Sequence, residues 1–261
     1  MWGFSTLDEE KEFHRILSLV VIGVSIPILF LEIPISKTTA SWSWLGPCLP
    51  ARLAWFLFES PNLFWPLLCT STALNEAPSS SLPRINAILL GLFVLHYLRR
   101  TIIFPFRMSS SSQGVPLAVV ACALIYTSVN GYLQARALCT WEKYDENHLF
   151  RPMSLLGWCL FGYGAYVNVQ GDATLRDLKL QNKGYQIPRG GWFEYVSAPH
   201  YFGEILEWIG FALLAWNLAA VSFCVFTAAN LIPRGRAQHQ WYQSKFEDYP
   251  PNRRAVIPFL L

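Results

Sequence analysis

An all-α bundle of about seven transmembrane helices is the architecture the sequence predicts. Three observations predict it: a deficit of charge, recurrent apolar stretches near the length a bilayer requires, and basic residues gathered on one side. The chain has 261 residues, of which 53% are hydrophobic, 15% aromatic and only 14% charged. Soluble domains carry about a quarter charged residues, so lipid is the expected solvent for much of the chain. Length suits a single membrane domain over residues 1–261, expected to be monomeric. A net charge of +3 supplies no polybasic field, which argues against a nucleic-acid partner.

A hydrocarbon core takes roughly 20 mostly apolar residues per helix. The predicted spans are Phe13–Ile33, Arg52–Leu74, Pro83–Phe104, Pro116–Leu138, Pro152–Gln170, Tyr201–Leu218 and Ala219–Ile232. Pro61 and Pro66 should kink or break the second, and the boundary between the sixth and seventh is soft. The first span follows Asp8-Glu-Glu-Lys-Glu12, an acidic lead unlike the basic region of a cleaved signal, so it reads as a retained helix. Seven spans put the termini on opposite sides. One side collects Lys37, Arg99, Arg100, Arg107, Arg176, Lys179, Lys183, Arg189, Arg234, Arg236, Lys245, Arg253 and Arg254. The other holds the smaller set Lys11, Arg15, Arg84, Arg136, Lys143 and Arg151. The imbalance predicts a lumenal N-terminus and a cytosolic C-terminus.

The connections are short. Ser79–Ser81 and Ser109–Gly114 are flexible, and Tyr185–Gly191 is turn-rich. Six cysteines show no CxxC pair and read as unbridged thiols packing as small hydrophobes. A bridge through Cys48 is the alternative. No zinc or haem motif is present.

Ionisable groups at membrane depth are costly and usually face a cavity or a partner. Glu59, in Trp55-Phe-Leu-Phe-Glu-Ser-Pro61, is ringed by apolar side chains; a turn-capping role is the plain alternative to chemistry. His96, Tyr97 and Arg100 recur at helical spacing, against which stand snorkelling for one of the arginines and an interfacial aromatic for Tyr97. Asn168, Asp172, Arg176 and Lys179 form a stripe running from the fifth span into a short amphipathic stretch, and a solvated face explains its basic end equally well. His200, Glu204 and Glu207 share one face of the sixth span, with a structural hydrogen-bond network as the alternative. Together they describe a polar pocket inside an apolar bundle.

With these residues in view, the sequence resembles the 3-oxo-5α-steroid 4-dehydrogenase (steroid 5α-reductase) family. The resemblance is carried in order by Leu95–Thr101, Asn130–Gln134, Gly184–Val196, Tyr201–Gly210, Trp241–Pro250 and the closing Ile257-Pro-Phe259, most recognisably within 95–261. Phe58-Glu-Ser-Pro61 looks more like the plant brassinosteroid-pathway members than the mammalian ones. The resemblance implies a seven-helix bundle in the endoplasmic reticulum membrane that binds NADPH on the cytosolic side and takes a steroid from the bilayer. It places the enone-polarising pair on Glu59 and Tyr97, with Trp55 beside them in the substrate site. It places the cofactor contacts on Arg100, Asn168, Asp172, Arg176, Lys179, Tyr185, His200, Glu204, Arg234 and Tyr242. Lys179 stands where these enzymes commonly carry Arg, and His200 where they often carry Asn.

The implied reaction is NADPH-dependent reduction of the Δ4 double bond of a 3-oxo-steroid, hydride going to C5 and a proton to C4. The absence of GxGxxG after a strand argues against a Rossmann site. Nearby alternatives are a polyprenal or trans-2-enoyl-CoA reductase. A seven-helix sterol-binding protein without redox activity is the alternative of another class.

Overall fold

The computed structural model describes residues 4–31, 45–76, 82–109, 112–181 and 184–261. Lys37, Lys183, the serines at 79–81, Ser110, Ser111 and the predicted end of the first span at Ile33 lie outside the described residues. The chain divides into two compact units. The first comprises Met1–Leu19, Ser41–Ser154 and Ala215–Ala220; the second comprises Val20–Ala40, Leu155–Leu214 and Val221–Leu261.

Among the described residues the helices fall into seven apolar stretches, as predicted. They are α1 (Leu7–Ile28), α2 with α3 (Ala51–Glu59, Pro61–Glu76), α4 with α5 (Arg84–Leu98, Phe104–Arg107), α6 (Leu117–Arg136), α7 (Pro152–Leu180), α8 (Pro199–Ala215) and α9 (Leu218–Lys245). Three continuous helical runs are long and apolar enough to cross a membrane: Arg84–Arg107, Leu117–Trp141 and Leu218–Lys245. The strands β1 (Cys48–Leu49) and β2 (Val115–Pro116) make a two-residue antiparallel ladder. None of the six cysteines forms a disulfide, and Cys48, Cys122 and Cys159 are exposed where packing as small hydrophobes was expected.

Helix α1 shows what lipid does to the usual pattern. Its buried positions are Glu10, His14, Ser18, Val21 and Ser25, at steps of three and four, while Phe13, Ile16, Leu19, Val20, Val24 and Ile26 are exposed. The two serines return their hydroxyls to carbonyls one turn back, which keeps these buried groups bonded. Beyond Arg15, a polar stripe inside and an apolar face outside suit a hydrocarbon solvent, while the first turns expose Asp8, Glu9, Lys11, Glu12 and Arg15.

Several boundaries differ from expectation. The second stretch breaks at Ser60, ahead of Pro61, whereas α3 runs on through Pro66. Both π-helical turns, Arg99–Ile103 and Ala137–Trp141, are invisible to a 3.6-residue period. The second is stitched by Asn86, whose Nδ2 donates to Leu138 O and Glu142 O at 2.7 and 2.9 Å. Helix α7 continues to Leu180, so the expected short amphipathic stretch after Gln170 is the same helix. The turn before α9 comes earlier than predicted. Trp216 takes φ 47° and Asn217 caps the helix, its Oδ1 accepting from Ala220 N at 2.9 Å. Helix α9 then passes Pro233 and reaches Lys245, well beyond the predicted end at Ile232. Packing outweighs the lost backbone bond there: Leu231 sits in a core with Ile205, Ala255 and Val256, and past the proline Gln238 and His239 bind Ser197.

Candidate active site

In the first unit, α2 sets Trp55 and Glu59 one turn apart on one face, and the break at Ser60 ends the helix immediately after the carboxylate. Glu59 is buried, at 8% exposure. Arg100 lies in the first π turn, and its Nη2 stands 3.7 Å from Glu59 Oε1. Its guanidinium carbon is 4.5 Å from the Trp55 ring centroid and 5.0 Å from that of Phe104. This is a cation held by a carboxylate on one side and aromatic faces on the other, which rules out snorkelling for Arg100. Tyr97, 5% exposed, precedes the π turn and packs on Phe93 and His96 at centroid distances of 4.7 and 5.1 Å. Neither Glu59 nor Tyr97 faces the apolar exterior.

One residue here went unread in the sequence. Tyr126, on α6, has its hydroxyl buried and within electrostatic reach of Glu59. Its signal was present, since it lies one helical turn before the Asn130 motif.

In the second unit, Asn168 on α7 is buried, and its Nδ2 donates to His200 O at 2.9 Å and Glu204 Oε2 at 3.1 Å. Three of the predicted residues therefore meet directly. The contact depends on Gly203: a methyl group there would lie 2.4 Å from Asn168 N and 2.6 Å from Gly164 O. Only glycines let these backbones close so far, and the closure brings the Asn168 amide within reach of α8. Asp172 is half-buried one turn along α7. Arg176 turns to its neighbour Asp177 with two bonds of 2.9 and 2.8 Å, and Lys179 is exposed. The stripe thus grades from a buried amide to a solvated end.

The remaining predicted residues lie on α9 or against it. Tyr242, 3% exposed, stacks on Tyr249 at 5.4 Å with rings 3° from parallel. Tyr185 is exposed and meets Trp241 edge-on at 4.8 Å. Arg234 is half-buried, and its Nε has no acceptor among the described residues. Arg253, counted in the sequence only as a topological charge, is buried at 2%. It lies 5.4 Å over the Tyr249 ring, with Nη2 3.4 Å from Glu194 Oε2; its Nε and Nη1 find no acceptor among the described residues. Glu194 also accepts from Gly190 N at 2.6 Å and stands 3.7 Å from Arg189. The Gly190 amide, with Arg253 and Arg189 behind it, holds this carboxyl below the usual carboxylate range. Within Arg189-Gly-Gly-Trp-Phe-Glu194 the carboxylate thus ties the turn.

The profile of the 3-oxo-5-alpha-steroid 4-dehydrogenase family matches residues 113–261. Steroid 5-alpha-reductase DET2 of Arabidopsis thaliana is 40% identical over 263 residues, covering 96% of this chain and 98% of the relative. The 3-oxo-5-alpha-steroid 4-dehydrogenase 1 of Mus musculus is 44% identical over 85% of this chain and 86% of its own. For the Homo sapiens enzyme of that name the identity is 42%, over 81% of each. Match length, identity and coverage agree, and the chain belongs to the 3-oxo-5-alpha-steroid 4-dehydrogenase family.

Proposed function

We propose that this chain reduces the Δ4 double bond of a 3-oxo-steroid with NADPH, placing hydride on C5 and a proton on C4 to give the 5α product. The names of its relatives support the substrate class. The observation that carries the chemistry is the buried grouping of Glu59 and Arg100, with Tyr97 one turn before Arg100.

An enone accepts hydride at its β-carbon only if the developing enolate oxygen is stabilised. Tyr97 donates to that oxygen, and Glu59 orients the phenol. Arg100 balances the carboxylate, so the site carries no uncompensated buried charge. Trp55 covers the guanidinium and presents an apolar wall to the steroid rings. In so dry a site, donors fixed before the reaction contribute far more than they would in water. The proton at C4 comes from water.

The second unit suits an anionic cofactor. Arg234 and Arg253 carry buried N–H groups with no acceptor among the described residues, and phosphate oxygens are natural partners for guanidinium donors. Arg234, Arg176 and Lys179 would neutralise the phosphates. Asn168, Asp172, Tyr185, His200, Glu204 and Tyr242 would hold the rest of the dinucleotide. When bound, reduced nicotinamide supplies the hydride.

The reading also takes the chain as a multi-pass protein of the endoplasmic reticulum membrane, C-terminus in the cytosol, working as a monomer. Its test is isotopic. Purified protein given a 3-oxo-Δ4 steroid and NADPH deuterated on the transferred face should form the 5α product with deuterium at C5. Label at C4, or turnover of polyprenal or enoyl-CoA with none of the steroid, contradicts it.

A further inference from the structure

We propose that Asn62, Asn130 and Gln134 form a positioning relay that aims Glu59. The inference rests on the role given to Glu59 above, and concerns what holds that carboxylate in place.

All three amides lie in the first unit and are essentially inaccessible, at 0%, 2% and 0% exposure. Gln134 Nε2 donates to Ala219 O at 2.8 Å and reaches Asn130 Oδ1 at 3.3 Å. Asn130 Nδ2 donates to Asn62 Oδ1 at 3.0 Å. The chain has a direction. A backbone carbonyl accepts only, so Ala219 O requires the NH2 end of Gln134. That end in turn requires the oxygen of Asn130, which leaves the Asn130 NH2 for Asn62. A single anchored carbonyl thereby orients three side chains.

The relay ends where Glu59 is set. Asn62 stands in the first turn of α3, immediately after the break that terminates α2. Ser60 ties the two helices: its N–H donates to Phe56 O, its hydroxyl donates to Leu57 O, and its carbonyl accepts from Leu63 N and Phe64 N. Beside Asn130, Gly131 lets α6 press onto the same point, since a methyl group there would lie 2.7 Å from Pro61 O. The break is gripped by backbone contact at Pro61 and by an amide bond at Asn62. With the break fixed, the last turn of α2 has one orientation, and Glu59 is its last residue. An apolar trio would fill the same volume and leave the break free to shift, and shifts of about 1 Å cost on the order of 100-fold in rate.

The test is a double-mutant cycle on single-turnover product formation, comparing wild type, Glu59→Gln, Gln134→Met and the double variant, with melting temperature recorded for each. A relay acting through Glu59 predicts that Glu59→Gln and Gln134→Met each slow the step by at least ~10-fold. The double variant should then be no slower than Glu59→Gln alone, with NADPH affinity within about twofold throughout. If Glu59→Gln is slow but Gln134→Met is not, or if the two losses multiply, the relay is wrong and the role of Glu59 stands. If Glu59→Gln turns over like wild type, the role of Glu59 fails and the relay with it. Should Gln134→Met not be recovered as a monodisperse protein, Asn130→Asp replaces it. That substitution keeps the volume, removes the donor to Asn62 and carries the same expectations.

Discussion

Glu10 and Arg136 make a carboxylate–guanidinium pair with a different character from Glu59 and Arg100. Arg136 grips Glu10 with bonds of 2.8 and 2.6 Å, and Tyr132 adds its hydroxyl at 3.1 Å. At 3.7 Å the Glu59–Arg100 contact is an ion pair longer than a hydrogen bond. The first pair is a structural clamp, and the second is a looser contact at the residues to which the proposed chemistry is assigned. Glu10→Ala should therefore lower stability by about 3–5 kcal/mol, because it strands a buried cation. Glu10→Leu combined with Arg136→Met should recover much of that loss, and thermal unfolding of the three proteins in detergent would measure it. The sequence hid this pair. Glu10 belongs to a run of acids that reads as solvated, and its partner lies 126 residues away. Glu59, Tyr97, Asn168 and Glu204 were legible because each is a polar residue among apolar neighbours and needs a partner wherever the fold puts it. The residues that escaped notice, Tyr126 and Arg253, look ordinary in a local window: one is an aromatic in a span, the other a charge near the C-terminus.

At the scale of elements, α7 meets α8 with no room for a side chain between them. Gly203→Ala must push Asn168 and Gly164 away, so it should reduce folded yield or cost about 1–3 kcal/mol or more. Gly162→Ala is the control, since a methyl group there meets nothing within 4 Å. Melting temperatures of the two variants should separate clearly, and equal values would show that the closure is unimportant. The turn held by Glu194 should respond to pH. Its carboxyl is depressed in the folded state, so its contribution is present above the unfolded carboxylate range and lost as pH falls through the folded value. Glu194→Gln should melt below wild type at neutral pH, modestly because the side chain is about half exposed. The gap should close in acid. A gap independent of pH would mean that packing, not charge, holds the turn. Element identity was largely legible and element extent was not. Length and apolarity located the stretches, but Pro233 reads as a stop unless one knows that Ser197 and Val256 hold the helix beyond it. The π turns leave no periodic trace because each adds a residue to a turn without changing composition.

For the whole molecule, the decisive pattern is that of α1, polar within and apolar without, together with three helical runs able to cross a bilayer. A membrane solvent explains why so many large apolar side chains are exposed, among them Phe64, Leu67, Phe106 and Ile125. The proposed orientation is testable with cysteines introduced at Ser5 and Arg236. In sealed microsomes a membrane-impermeant reagent should label Arg236→Cys, and should label Ser5→Cys only after permeabilisation; the reverse would invert the topology. Family membership and this solvent pattern place the chain among lipid-metabolising enzymes, and the proposed chemistry turns on two side chains, Glu59 and Tyr97. The most direct test is the single-turnover rate of Tyr97→Phe on a 3-oxo-Δ4 steroid, with NADPH affinity measured on the same preparation. The rate should fall by on the order of 100-fold or more while NADPH affinity stays within about twofold of wild type. A rate near wild type, or a loss confined to NADPH affinity, would contradict the role assigned to the phenol.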